Sequence, residues 1–174
     1  YQKDGYHNLV EIAQQYNGAF LCDGVGLGKT FIGLMLIERL VLHERKNVLL
    51  LVPKGAWESV WKPVLQKHLS HLGRGAFSGL EVLMHTDLLR GGEVAERFDF
   101  ASQRAHAVVI DEAHHFRNIG TRGIVSEETA DTALPAHLIR GTGKVKPSRY
   151  RRLFDIIGDK RVYMLTATPI NNEL

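Results

Sequence analysis

The sequence predicts an α/β domain built on a mostly parallel β-sheet with helices on both faces. Three observations carry that expectation. Short apolar runs alternate with helical stretches, the interior runs are apolar at consecutive positions, and the first run passes into a glycine-rich turn that opens a helix. Strands separated by helices mean βαβ units. Uninterrupted Val/Leu/Ile runs belong to strands covered on both faces.

Taken in order, "GAFLCD" is a short apolar run ahead of the turn, and "KTFIGLMLIERLVLH", from Lys29 to His43, is apolar nearly all round, as a buried helix is. "NVLLLVP" reads as an interior parallel strand. Trp57, Val60, Trp61, Val64, Leu65 and His68 then recur at helical spacing, with Pro63 set to kink or restart that helix. "EVLMHT", "AHAVVIDEAHH" and "RVYMLTAT" supply the remaining strands. Residues 119 to 147 break the rhythm: four Gly, four Thr and two Pro without a sustained period predict a flexible insertion.

At 174 residues the chain is one domain by length, with 44% apolar and 24% charged residues, an ordinary globular composition. Lys and Arg total 22 against 19 Asp and Glu, a mild bias that permits nucleic-acid binding without arguing for it. The lone Cys22 excludes an internal disulfide and is expected as a small buried hydrophobe in the first strand. No apolar run reaches the roughly 20 residues of a membrane span, so no membrane partner is expected. The start has neither an initiator Met nor the apolar core of a signal peptide, and the expectation is a segment of a longer protein.

The chemistry sits in two places. Phosphate binding needs backbone N–H groups converging on an anion, a helix N-terminus behind them, and a lysine that reaches the terminal phosphates. "GVGLGKT" supplies these: Gly24, Gly26 and Gly28 allow close backbone approach, Lys29 is the point charge, and the Thr30 hydroxyl is placed for Mg²⁺. In "VVIDEAHH", Asp111 ends a strand where a carboxylate can hold Mg²⁺, and Glu112 can orient and deprotonate a water. Read alone, the first motif is also a plain strand–helix turn and the second an acidic helix start.

Together with "LTATPINN" (165 to 172), these motifs resemble motifs I, II and III of the superfamily 2 helicases and translocases, and within them the SWI/SNF-like ATPases. In that superfamily the first phosphate-loop glycine is commonly replaced, as by Asp23 here. The resemblance implies a RecA-like P-loop NTPase domain, the first of two lobes, that couples ATP hydrolysis to movement on nucleic acid, with double-stranded DNA as the expected partner. It implies ATP and Mg²⁺ as cofactors. Gln2, Asp23, Gly24, Val25, Gly26, Leu27, Gly28, Lys29 and Thr30 would hold the nucleotide, and Thr30 and Asp111 the metal. Lys29, Asp111 and Glu112 would be catalytic. His114, Thr166 and Thr168 would couple nucleotide state to grip on nucleic acid, with His114 bridging motifs II and III. Pro53, Lys54 and Thr86 would touch the tracked strand.

"HFRN" resembles that branch's basic-Asn ending at Arg117 and Asn118, whereas Gly24-Val25, Ala167 and the long insertion depart from its pattern. These departures favour a divergent, prokaryotic defence or repair enzyme over a chromatin remodeller. The location would be cytoplasmic and nucleoid-associated in a prokaryote, nuclear in a eukaryote. The second lobe is not in this sequence, so the chain alone is expected to be nearly inactive. A strand-separating helicase or restriction-type motor shares these motifs, and a non-catalytic nucleic-acid-binding module is the rival of another class, disfavoured by Lys29, Asp111 and Glu112 together. His68/His71 and His114/His115 lack metal-ligand spacing. Trp57 and Trp61 are expected to pack instead of stacking on bases, and "PSRYRRLF" reads equally as a phosphate grip or a solvated helical face.

Overall fold

Five parallel strands form one sheet in the order β1-β5-β4-β2-β3. In this computed structural model, residues 2–22, 28–70, 79–116 and 148–167 are described. The strands are β1 (Gly18–Cys22), β2 (Val48–Val52), β3 (Leu80–Met84), β4 (Ala107–Asp111) and β5 (Arg161–Thr166). The helices are α1 (Gln2–Tyr16), α2 (Lys29–Glu38), α3 (Lys54–Ala56), α4 (Lys62–His68), α5 (Glu93–Arg104) and α6 (Arg149–Ile157). Every strand named from the sequence is present, trimmed at its ends. The expected insertion at 119–147 lies outside the described residues.

Side-chain alternation along the central strands divides the core in two. Val48, Leu50 and Val52 of β2, with Ala107 and Val109 of β4, face α1, α2 and Trp61. Leu49, Leu51, Val108 and Ile110 face the other way, onto Phe98 and Ala101 of α5 and Leu153 and Ile156 of α6. All five positions of both strands are buried, which is why their sequences read as unbroken apolar runs.

Three local features refine the sequence reading. The helix after the glycine turn passes into a π-turn over Arg39–His43, and a second π-turn, Trp57–Trp61, joins α3 to α4. Pro63 restarts the helix in the first turn of α4, where its missing N–H costs nothing. β3 stops at Met84, whose N–H donates to the Asp87 carboxylate (2.9 Å), so His85 and Thr86 fall in a 3₁₀ turn, His85–Leu89. The described residues of the basic run 147–154 enter α6, which Ser148 caps; Leu153 and Ile156 of that helix are buried, and Arg152 pairs with Asp99 of α5.

Cys22 corrects an expectation, because it is exposed. β1 pairs only with β5 among the described strands, and its Phe20 is 60% exposed. Phe20 and Cys22 lie level with Met164 and Thr166, on the second-core side, beyond the reach of its described helices.

Leu50 sits mid-strand between two partners and is fully buried. Leu50→Ala is expected to cost about 2–5 kcal/mol, through lost transfer energy plus a cavity that rigid neighbours cannot collapse. Leu42→Ala, at a position 40% exposed, should change stability by about 0.5 kcal/mol or less. Urea midpoints of the two variants check the contrast.

Candidate functional site

The carboxyl ends of β1, β4 and β5 share one edge of the sheet, and the expected site residues converge there. Gly28 adopts φ +87°, a left-handed conformation open to glycine, and heads α2. A methyl group at that position would lie 2.1 Å from Gln2 Nε2, so the α1 side chain reaches across the last residue of the turn. Lys29 and Thr30 form the first turn of α2. Asp23 to Leu27 lie outside the described residues, as do Arg117, Asn118 and Thr168.

Asp111 shares strand alternation with Ala107 and Val109, which directs its carboxylate to the α2 side of the sheet. It is buried, at 8% exposure, as is Lys29 at 9%. Burial is the largest influence on Asp111 and raises its carboxyl above the ordinary carboxylate range. A hydrogen bond from Trp61 and the charge of Lys29 oppose that rise. Trp61 Nε1 donates to Asp111 Oδ2 at 2.7 Å, and the Glu112 N–H donates to Oδ1 at 3.0 Å.

The next residue turns sharply. Glu112 has φ +49°, a left-handed conformation that side chains other than glycine, Asn and Asp rarely adopt. Such strain costs roughly 1–3 kcal/mol and concentrates at functional sites. It leads into a 3₁₀ turn, Ala113–Phe116. His114 Nδ1 and Thr166 Oγ1 share a hydrogen bond of 3.1 Å, its direction set by the imidazole tautomer. The same Nδ1 lies 3.1 Å from Glu112 Oε2, yet that oxygen is buried without a hydrogen-bond partner among the described residues. The hydrogen bond of the imidazole runs to the threonine and joins the turn after the acidic pair to the end of β5.

The donors suit Mg²⁺. Asp111 and Thr30 offer hard oxygens, and no cluster of three or more His, Cys, Asp or Glu forms among the described residues. A dedicated protein cage is thus absent there, whereas Mg²⁺ is usually held by one or two carboxylates together with phosphate oxygens and water.

Pro53, Lys54 and Thr86 lie at the carboxyl ends of β2 and β3, with Lys54 and Thr86 exposed. They are on the same sheet edge as the acidic pair but not in contact with it in any recorded interaction. A cavity of about 810 Å³ lies elsewhere, beside Leu80 and Val82 of β3, and no expected site residue lines it.

The chain is similar to several known proteins. The model of the SNF2-related domain matches residues 1–81. Over 194 aligned residues the chain is 26% identical to a Drosophila melanogaster protein, the SWI/SNF-related matrix-associated actin-dependent regulator of chromatin subfamily A containing DEAD/H box 1 homolog. That match covers 100% of this chain and 20% of the fly protein. The fold is similar to the Sulfolobus solfataricus SWI2/SNF2 ATPase core in complex with dsDNA, with a TM-score of 0.62, 19% identity, and coverage of 99% of this chain and 32% of that one. The core domain of the same archaeal ATPase matches with a TM-score of 0.60 at 18% identity, again over 99% of this chain and 32% of that one. The RecA-like α/β fold expected from the motifs is the fold of these SNF2-type cores.

Two features of the site and its surroundings escape sequence reading. Trp61 bonds the Asp111 carboxylate across 50 positions of sequence. Gly33, inside the apolar α2, would place a methyl 2.8 Å from Trp61 Cη2 and 3.0 Å from Leu165 Cδ1. An isolated glycine within a helical pattern is the available signal, since it costs about 1 kcal/mol against alanine unless something must approach closely.

His85 is also buried, at 3% exposure, with its ring 4.7 Å from Phe116 and 5.6 Å from His115. Burial lowers its pKa from 6.5 to about 4, with the positive charges of His115 and Arg149 adding to the effect. The unfolded chain therefore binds a proton near pH 6.5 that the folded chain refuses until about pH 4. Stability should fall as pH drops through that window. His85→Phe, which keeps a ring against Phe116, should flatten the slope of urea stability between pH 6.5 and 4. Parallel slopes in the two proteins would contradict this account.

Proposed function

We propose that this chain is the ATP-binding first lobe of an ATP-dependent translocase acting on double-stranded DNA. The observation that carries the reading is the placement of two buried groups of opposite charge, Lys29 at the head of α2 and Asp111 at the end of β4, within electrostatic reach of each other. A structural domain gains little from desolvating both groups, because the loss of hydration consumes most of their attraction. A site for phosphate and its divalent cation needs both.

In this reading Lys29 and the turn amides take the β- and γ-phosphates, and Gln2, poised over Gly28, reads the adenine edge. Thr30 and Asp111 would hold Mg²⁺, which would supply charge neutralisation on the phosphates. Glu112 keeps a buried, unbonded carboxylate oxygen able to accept a proton from the attacking water. His114 links that carboxylate's turn to Thr166, and Pro53, Lys54 and Thr86 present a surface to the tracked strand. The relatives support this reading by their names. This chain spans only part of each of them, and the translocase activity is our proposal for the longer protein.

Lys29→Ala should abolish binding of a fluorescent ATP analogue, while Glu112→Gln should retain it. Equal binding by the Lys29 variant would refute the phosphate assignment.

The 174 residues expressed alone should bind Mg²⁺-ATP weakly and hydrolyse it hardly at all, with or without duplex. In the resembling superfamily the second lobe supplies an arginine finger, worth about 10³–10⁵ in rate, or roughly 4–7 kcal/mol. That group acts on the transition state, so ground-state binding through Lys29 partly survives without it. Steady-state phosphate release is the measurement. Turnover near or above about one per second, in the range of typical enzymes, that is duplex-stimulated and lost in Glu112→Gln would overturn the two-lobe mechanism.

A further inference from the structure

Trp61 is fully buried at the end of a π-turn, and it is the residue through which the segment after β2 touches the acidic pair. We propose that Trp61 is a positioning residue for the cation-holding carboxylate, fixing Asp111 in the orientation that Mg²⁺ requires. The inference rests on the nucleotide-site reading above and extends it to a residue that neither touches nucleotide nor bears a charge.

The geometry is specific. Asp111 Oδ2 accepts from Trp61 Nε1 at 2.7 Å, and Oδ1 accepts from the Glu112 N–H at 3.0 Å. Two donors on two oxygens fix the carboxylate plane, while a carboxylate has about four lone-pair positions in all. One position on each oxygen remains for a cation or its water. Without the indole donor, Oδ2 would be free to swing toward the buried ammonium of Lys29, whose charge already acts on it. That movement would pair the two groups the phosphate site needs apart.

The donor itself is held. The indole is wedged against Gly33 of α2 and Leu165 of β5, where even a methyl on Gly33 would stand 2.8 Å from Cη2. Trp61, the last residue of the π-turn, is fully buried while its neighbour Val60 is 38% exposed. Groups that orient metal ligands in this way are typically worth 10–100-fold in metal affinity or activity.

The test is a Mg²⁺ titration read by the indole ¹H–¹⁵N cross-peaks of the protein in the presence of ATPγS, with the Trp61 and Trp57 signals assigned through Trp57→Phe. The Trp61 cross-peak should move as Mg²⁺ is added and return with EDTA, and the Trp57 cross-peak should stay. In Trp61→Phe, which keeps an aromatic ring beside Gly33, nucleotide binding in EDTA should match the parent. The Mg²⁺ concentration for half-maximal enhancement of that binding should rise about 10–100-fold. A purely packing role would change stability and leave that metal dependence unmoved, which overturns the proposal. If the Phe variant does not fold, an unmoved Trp61 cross-peak in the parent under saturating Mg²⁺-ATPγS overturns it equally. Should the parent bind no nucleotide at all, the nucleotide-site reading falls and this inference with it. Binding in the parent with unchanged metal dependence in the variant removes the Trp61 role alone.

Discussion

Five strands running the same way place every carboxyl end on one edge of the sheet, and the rest of the molecule follows from that constraint. Parallel neighbours cannot be joined by tight hairpins, so the chain returns through helices that cover both faces. The end of β1, the acid at the end of β4 and Thr166 at the end of β5 therefore share that edge although they are far apart in sequence. Period-two alternation then sorts them. Asp111 faces the first core with Lys29 and Trp61, whereas Thr166 lies on the second-core side, under the turn that carries His114. One strand end thus addresses both layers of the domain.

Burial gives these residues their chemistry and also makes them costly. A carboxylate and an ammonium withdrawn from water lose hydration that their mutual attraction only partly restores. Asp111 shows the imbalance directly, since burial raises its carboxyl in spite of Trp61 and Lys29. Glu112 adds backbone strain, with its positive φ forcing the chain off the β4 direction at once. The surrounding apolar strands, buried at every position of β2 and β4, hold both in place. A polar, strained edge on an over-determined apolar sheet is the division of labour expected when a site is built at some expense to stability.

Legibility in the sequence divides along the same lines. The strands could be read because "VLLLV" and "AVVID" must satisfy burial on both faces, a condition local to each run. Lys29, Thr30, Asp111 and Glu112 could be read because their spacing relative to a strand end carries the chemistry. The Trp61–Asp111 bond could not, since no local pattern says which of two helical tryptophans faces the sheet, and the π-turn that ends at Trp61 leaves no compositional mark. Cys22 was misjudged for a related reason. Its apolar surroundings suit a buried strand, but burial of β1 depends on what lies beyond β5 and on how far α5 and α6 reach. The insertion at 119–147 and the turn at 23–27 stay outside what the described residues decide.

The two 3₁₀ turns on the carboxyl edge pack against each other. His85 opens the turn that exposes Thr86, and its ring packs edge-on against Phe116 and His115 in the turn that follows Glu112. Both His85 and Phe116 are buried, so each ring is held by its packing. The second turn is also tied to β5 through His114 and Thr166. A displacement of His114 is therefore opposed both by its tie to β5 and by the packing of the two turns.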